Sequence, residues 1–153
     1  MARAFSTWNA WSKRESIGDD LKRPGIYAVA KTSSDIAGSP FSWRAEIIYI
    51  GMTNSKGGLR SRLKQFDNTI RGKDGHGGAH RVRFGFRQVE YEQLQRELYV
   101  SVCAFACDVK SNAPKDLRTM GEVAMHEYEC WAKFVEAFGK LPAFNDKANA
   151  PKK

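Results

Sequence analysis

Pro24-Gly25-Ile26-Tyr27-Ala28-Val29 and Ile47-Ile48-Tyr49-Ile50-Gly51 are the two stretches that decide the fold. Each is a short apolar run rich in β-formers, and Arg23-Pro24-Gly25 is a turn signal that launches the first. The spacing predicts strands over 26–31 and 43–50, joined across a Ser/Gly/Pro-rich hairpin loop at 32–42. A polar turn at 53–58 follows. Leu59, Leu63, Phe66 and Ile70 then recur at helical spacing and predict a helix over 59–70, with Arg60 and Lys64 off the apolar stripe.

Beyond it, residues 71–80 read as a mobile glycine-rich loop, and 81–87 is ambiguous between strand and helix. A short helix is expected over 90–97 and a third strand over 98–109, where LYVSVCAFACDV is rich in Val, Phe and Tyr. Ser111-Asn112-Ala113-Pro114 breaks the chain, and a long helix runs on to Phe138, stopped by Gly139 and Pro142. Near the start, 4–13 reads as a short amphipathic helix with Trp8 and Trp11 packed on the domain. The expected class is α+β, a small three-stranded, mainly antiparallel sheet flanked by helices. All 153 residues are read as one domain with a short N-terminal extension at 1–22.

Composition narrows the partners. Apolar residues at 42% with 5 Pro and 13 Gly describe a folded chain, and no apolar run approaches the ~20 residues that span a bilayer. The opening residues lack the apolar core of a signal peptide. Cys103, Cys107 and Cys130 form no CxxC pair and read as buried, reduced core residues, so the cytoplasm is the expected compartment.

The formal net charge is +8, and its placement matters more than its size. Between Lys56 and Arg87 nine cations stand against two carboxylates, Asp67 and Asp74. A basic block gathered in one segment is the footprint of a polyanion. Arg60, Lys64, Arg71, Lys73, His76, His80, Arg81 and Arg83 are the expected nucleic-acid contacts.

Two strand tyrosines with a basic helix just beyond can present phenols and a guanidinium to one phosphate. An arginine fork matches phosphate oxygens in two places, and a phenol can accept a proton from water. The Gly25-Ile26-Tyr27 and Tyr49-Ile50-Gly51 strings, the arginine-bearing helix and the late Pro142-Ala143-Phe144-Asn145 ending resemble the GIY-YIG nuclease family over about residues 24–145.

The resemblance implies a metal-dependent endonuclease that hydrolyses DNA phosphodiester bonds. Tyr27 and Tyr49 match the motif tyrosines, with Tyr27 the choice for general base. Arg62 takes the place of the family arginine in preference to Arg60. Gly25 and Gly51 support the strands, and Asn145 would hold a helix end or orient the metal shell. Phe66 stands where several family members carry histidine, a loss that His76 or His80 would offset.

For the metal-binding glutamate three residues compete. Glu122 follows Thr119 at capping-box spacing, and Glu129 points away from the apolar stripe. Glu127 shares the face of Val123, Cys130, Trp131 and Phe134, where a carboxylate needs a partner, and it is the choice. Mg²⁺ (or Mn²⁺) suits a single carboxylate. One active centre cuts one strand, so double-strand cleavage implies a homodimer or two successive nicks. The rivals are a catalytically silent nucleic-acid-binding module of the same fold, and a small RNA-binding protein that uses the tyrosines to stack bases. His76 and His80 alone fall short of a structural zinc set.

Overall fold

The computed structural model describes residues 4–73 and 75–146; Asp74 and the chain ends lie outside the described residues. The fold is α+β, built on a four-stranded antiparallel sheet. In chain order the elements are β1 (Asn9–Ala10), a 3₁₀ segment (Trp11–Lys22), β2 (Gly25–Lys31), β3 (Ile47–Thr53), α1 (Gly58–Arg71), α2 (Gly77–Gly85), α3 (Tyr91–Arg96), β4 (Leu98–Ala104) and α4 (Pro114–Phe138). The strands lie in the order β1-β4-β2-β3.

Central strand β2 is buried on both faces, which explains its unbroken apolar run. Tyr27 and Val29 face a core shared with Leu59, Leu63, Phe66 and Ile70 of α1. Ile26, Ala28 and Ala30 face a second core with Val123, Cys130 and Phe134 of α4. The sheet is therefore sandwiched, with α1 and α2 on one side and α4 on the other. Period-two alternation in the strands and the 3.6-residue stripes of the helices meet in these two layers.

The fourth strand departs from the expected three, and so does its neighbourhood. No helix forms over 4–8. Ser6 instead runs along β4, its amide donating to Val102 O at 2.8 Å, and Asn9–Ala10 pair with Val100 and Tyr99. Trp8 and Trp11 are both fully buried, but in opposite cores. One helical face cannot serve two layers, so the extended path wins, and the helical turns start only at Trp11.

Four further expectations need correction. β3 begins at Ile47 rather than 43, because Trp43 is drawn into an aromatic cluster with Phe5 and Phe41. β4 ends at Ala104, and Cys107 beyond it is only half-buried, whereas Cys103 and Cys130 are buried; among the described residues none of the three forms a disulfide. α4 starts at Pro114, with Pro in its first turn, so Glu122 is an exposed mid-helix residue and not a cap.

The last correction falls on the glycine-rich stretch. Gly77–Gly85 is helical, and the side chain of His76 caps it by accepting from the Ala79 amide. Gly78 there permits close packing. A Cβ on Gly78 would run into the ring of Tyr49.

Candidate active site

The register of the two motif strands places the phenols. Tyr27 pairs with Gly51, and Tyr49 pairs with Val29, so the tyrosines are diagonal neighbours on one face. Their ring centroids are 6.0 Å apart. Gly51 is the seat for Tyr27: a Cβ there would sit 2.5 Å from the Tyr27 hydroxyl and 2.8 Å from the Tyr49 ring. Gly25 serves a different need, because a side chain at that position would strike the backbone carbonyl of Cys103 on β4.

His76 enters this site from the start of α2. Its Nε2 lies 2.6 Å from the Tyr27 hydroxyl. Its Nδ1 accepts from the Ala79 amide at 3.1 Å, which leaves the ring proton on Nε2 as donor to the phenol oxygen. Burial, reinforced by the charges of Arg62 and Arg81, lowers its pKa to about 3, so the ring is neutral across the ordinary pH range. Phe66 packs edge-on against it, with centroids 5.1 Å apart. His76 thus stands beside Phe66, carried there by a different element. His76 is buried, so it takes no part in a DNA-facing loop.

Arg62 and Glu127 complete the group, from helices on opposite sides of the sheet. Both act electrostatically on both phenols, Arg62 favouring the phenolates and Glu127 opposing them. Burial dominates, however, and pushes Tyr27 well above its usual value. Tyr49 is also raised by burial, and it retains 9% exposure where Tyr27 has none. Half-buried Glu127 is pushed up to about 7 by burial, with the charge of Arg62 pulling the other way. Arg62 donates to Gln65 at 3.0 Å. Among the described ion pairs, Arg62 and Glu127 are not joined to each other.

Asn145 plays a structural part that differs from a helix end. Its side-chain amide accepts from Ile50 N–H and donates to Ile50 O, both at 2.8 Å. Trp131 donates to the same carbonyl at 3.3 Å, and Phe144 N–H donates to Ile48 O. These contacts stand in for a further strand along the outer edge of β3. They bind α4 and the segment after it to the strand that carries Tyr49.

The basic residues divide into two groups. Arg81 is half-buried, donates to Phe144 O at 2.7 Å and lends its charge to Tyr49 and His76. Arg71 pairs with Asp67 at 2.8 Å. Arg60 meets Glu15 at 3.0 Å, and Arg83 donates to Gly72 O at 3.4 Å, both at the surface. Lys64, Lys73 and His80 are exposed.

Among the described residues no group of three or more His, Cys, Asp or Glu side chains gathers to hold a metal. The donor set at the site is one carboxylate. That fits Mg²⁺ or Mn²⁺, hard ions that retain most of their water and take further oxygens from a bound phosphate. A carboxyl raised to about 7 by burial is also one that a cation would stabilise in its charged form.

Among the described residues no helix is long and apolar enough to cross a membrane. No family model matches the chain, and no curated protein or solved structure matches it either.

Proposed function

We propose that this chain is an endonuclease of the GIY-YIG type that hydrolyses DNA phosphodiester bonds with the help of a divalent cation. The supporting observation is the convergence of Tyr27, Tyr49, His76, Arg62 and Glu127, carried by five different elements or loops, around one patch beside β3. A core packed only for stability has no need to bring a guanidinium and a carboxylate to the same two phenols.

In this reading the phenol pair acts as the base. Tyr27, the sequence expectation for the base, is fully buried, so Tyr49, the less buried member, would meet the attacking water as the phenolate, the form that the charge of Arg62 favours, and become the neutral phenol on taking its proton. Tyr27 stands behind it and receives the Nε2–H of His76 on its oxygen, a donor that supports negative charge on the phenol pair before the proton is taken. Arg62 binds the non-bridging phosphate oxygens through its fork. Glu127 holds the cation, which when bound supplies charge stabilisation at the phosphate and at the leaving oxygen. Lys64, Lys73, His80 and Arg83, all exposed, are the side chains that would follow the strand backbone. Three cysteines outside any disulfide suit a reducing compartment such as the cytoplasm.

Supercoiled plasmid incubated with the protein tests this. Conversion to nicked or linear DNA with Mg²⁺, abolished by chelation, supports the nuclease. Salt-sensitive binding without conversion under Mg²⁺ or Mn²⁺ points instead to the silent binding module.

Gly51→Ala gives a finer prediction. The added methyl displaces both phenols, and misplacement of about 1 Å costs roughly 10²-fold in rate. The fall in nicking rate should exceed any change implied by the melting temperature. Full activity in a folded Gly51→Ala protein would detach the phenols from the chemistry.

A further inference from the structure

Four of the large apolar side chains left exposed lie on a single element: Leu117, Met125, Tyr128 and Val135 of α4. Met125 is 69% exposed and Tyr128 68%. With Gly121, Ala124 and Ala132, also exposed, they form one stripe on the helix, turned away from the buried face of Val123, Cys130 and Phe134. Spacings of three and four carry it from Leu117 to Val135, about 27 Å of helix. A stripe of that length, repeating every three or four residues, is what a second helix packs on.

The sequence of the stripe and its flank selects the partner. Reversed end for end, the stripe matches itself. Leu117 meets Val135, the small Gly121 meets the small Ala132, and Met125 meets Tyr128 across the centre. Two pairs of exposed charges on one flank match in the same register: Arg118 meets Glu136, and Glu122 meets Lys133. Opposite charges face each other in both pairs. In a two-fold interface residue i contacts j while j contacts i, so each of these contacts occurs twice.

We propose that α4 forms an antiparallel, two-fold contact with α4 of a second copy of this chain, centred between Met125 and Tyr128. The small residues at 121 and 132 let the two backbones approach, and the flanking charges fix direction, since the charged flank faces its own copy only in the antiparallel pairing. Glu127 lies on the same helix, on the side of Val123 and Phe134. The contact therefore joins two copies of the helix that carries Glu127. It does not depend on what the candidate site does.

Sedimentation equilibrium of the full chain over a concentration series tests it. The wild type is expected to show a reversible monomer–dimer equilibrium. Met125→Glu, which puts a carboxylate at the centre of the apolar stripe, should raise the dissociation constant at least tenfold with unchanged circular dichroism. Arg118→Glu and Glu136→Arg, both at exposed positions, should each weaken the dimer. The double exchange Arg118→Glu/Glu136→Arg should restore it. A wild type that stays monomeric at every concentration overturns the proposal and leaves the stripe to a different protein. A dimer untouched by Met125→Glu, or a charge exchange that fails to restore association, overturns it as well.

Discussion

Arg62→Ala is expected to lower the rate of Mg²⁺-dependent plasmid nicking by roughly 10³-fold while leaving the melting temperature nearly unchanged. The guanidinium is half-buried, donates to the nearby Gln65 of the same helix, reaches the neutral Tyr27 phenol as a hydrogen-bond donor, and carries none of the described ion pairs. Removing it therefore leaves no buried carboxylate without a partner. What is lost is a positive charge that acts on Tyr27, Tyr49, His76 and Glu127 together. Arg62→Lys keeps the charge without the planar fork and should recover only part of the rate. Initial rates alongside thermal melts separate the two effects. A large fall in melting temperature would show Arg62 to be a structural residue.

Asp67→Ala should have the opposite signature, costing about 3–5 kcal/mol of stability because it strands buried partners. The carboxylate is a buried hub. Oδ1 accepts from Trp11 Nε1 at 2.7 Å and from the Tyr91 hydroxyl at 2.6 Å. Oδ2 accepts from Arg71 Nε at 2.8 Å and meets Arg14 at 3.3 Å. One side chain of α1 thus ties down both the 3₁₀ segment and α3, and Arg71 lies 4.0 Å over the Tyr91 ring to close the cluster. Chemical denaturation at pH 7 measures the loss.

The pH dependence has a definite sign. Burial raises the Asp67 pKa, but the hydrogen bonds and the Arg14 charge outweigh it and hold the group below 3.8. Its contribution is therefore present at neutral pH and is lost as pH falls below about 4. His76 acts in an earlier window. Neutral in the fold down to about pH 3 but free to protonate near 6.5 when unfolded, it withdraws stability progressively below 6.5. Asp67→Asn should flatten only the lower window.

Legibility in the sequence followed the range of the interactions involved. The motif strands, the α1 stripe and the end of α4 at Gly139 depend on local periodicity and turn chemistry, and their placement agrees to within a few residues. Residues whose placement depends on distant parts of the chain were not legible. Trp8 and Trp11 suggested one helical face, yet they serve two cores that only the assembled sheet separates. The glycines at 77 and 78 suggested a loop, yet the space that Gly78 leaves is filled by Tyr49 from another element.

The same distinction holds at the site. Tyr27, Tyr49 and Arg62 could be named from short strings, and Glu127 from its position on an apolar helix face. The role of His76 as a fixed-tautomer donor needed the Ala79 amide and the Tyr27 hydroxyl, 49 residues away, to be seen together. Asn145 was visible as a motif residue, but its pairing with both backbone groups of Ile50 was not.

Glu127→Gln compared with wild type, on supercoiled plasmid in Mg²⁺, is the most direct measurement. The substitution keeps the size of the side chain and removes only its charge and its capacity to hold a cation. Wild-type conversion to nicked or linear DNA, with conversion by the variant reduced at least 10²-fold at unchanged folding, is the result predicted here. Equal conversion by both proteins would contradict it, because the carboxylate beside the two phenols would then take no part in breaking the phosphodiester bond.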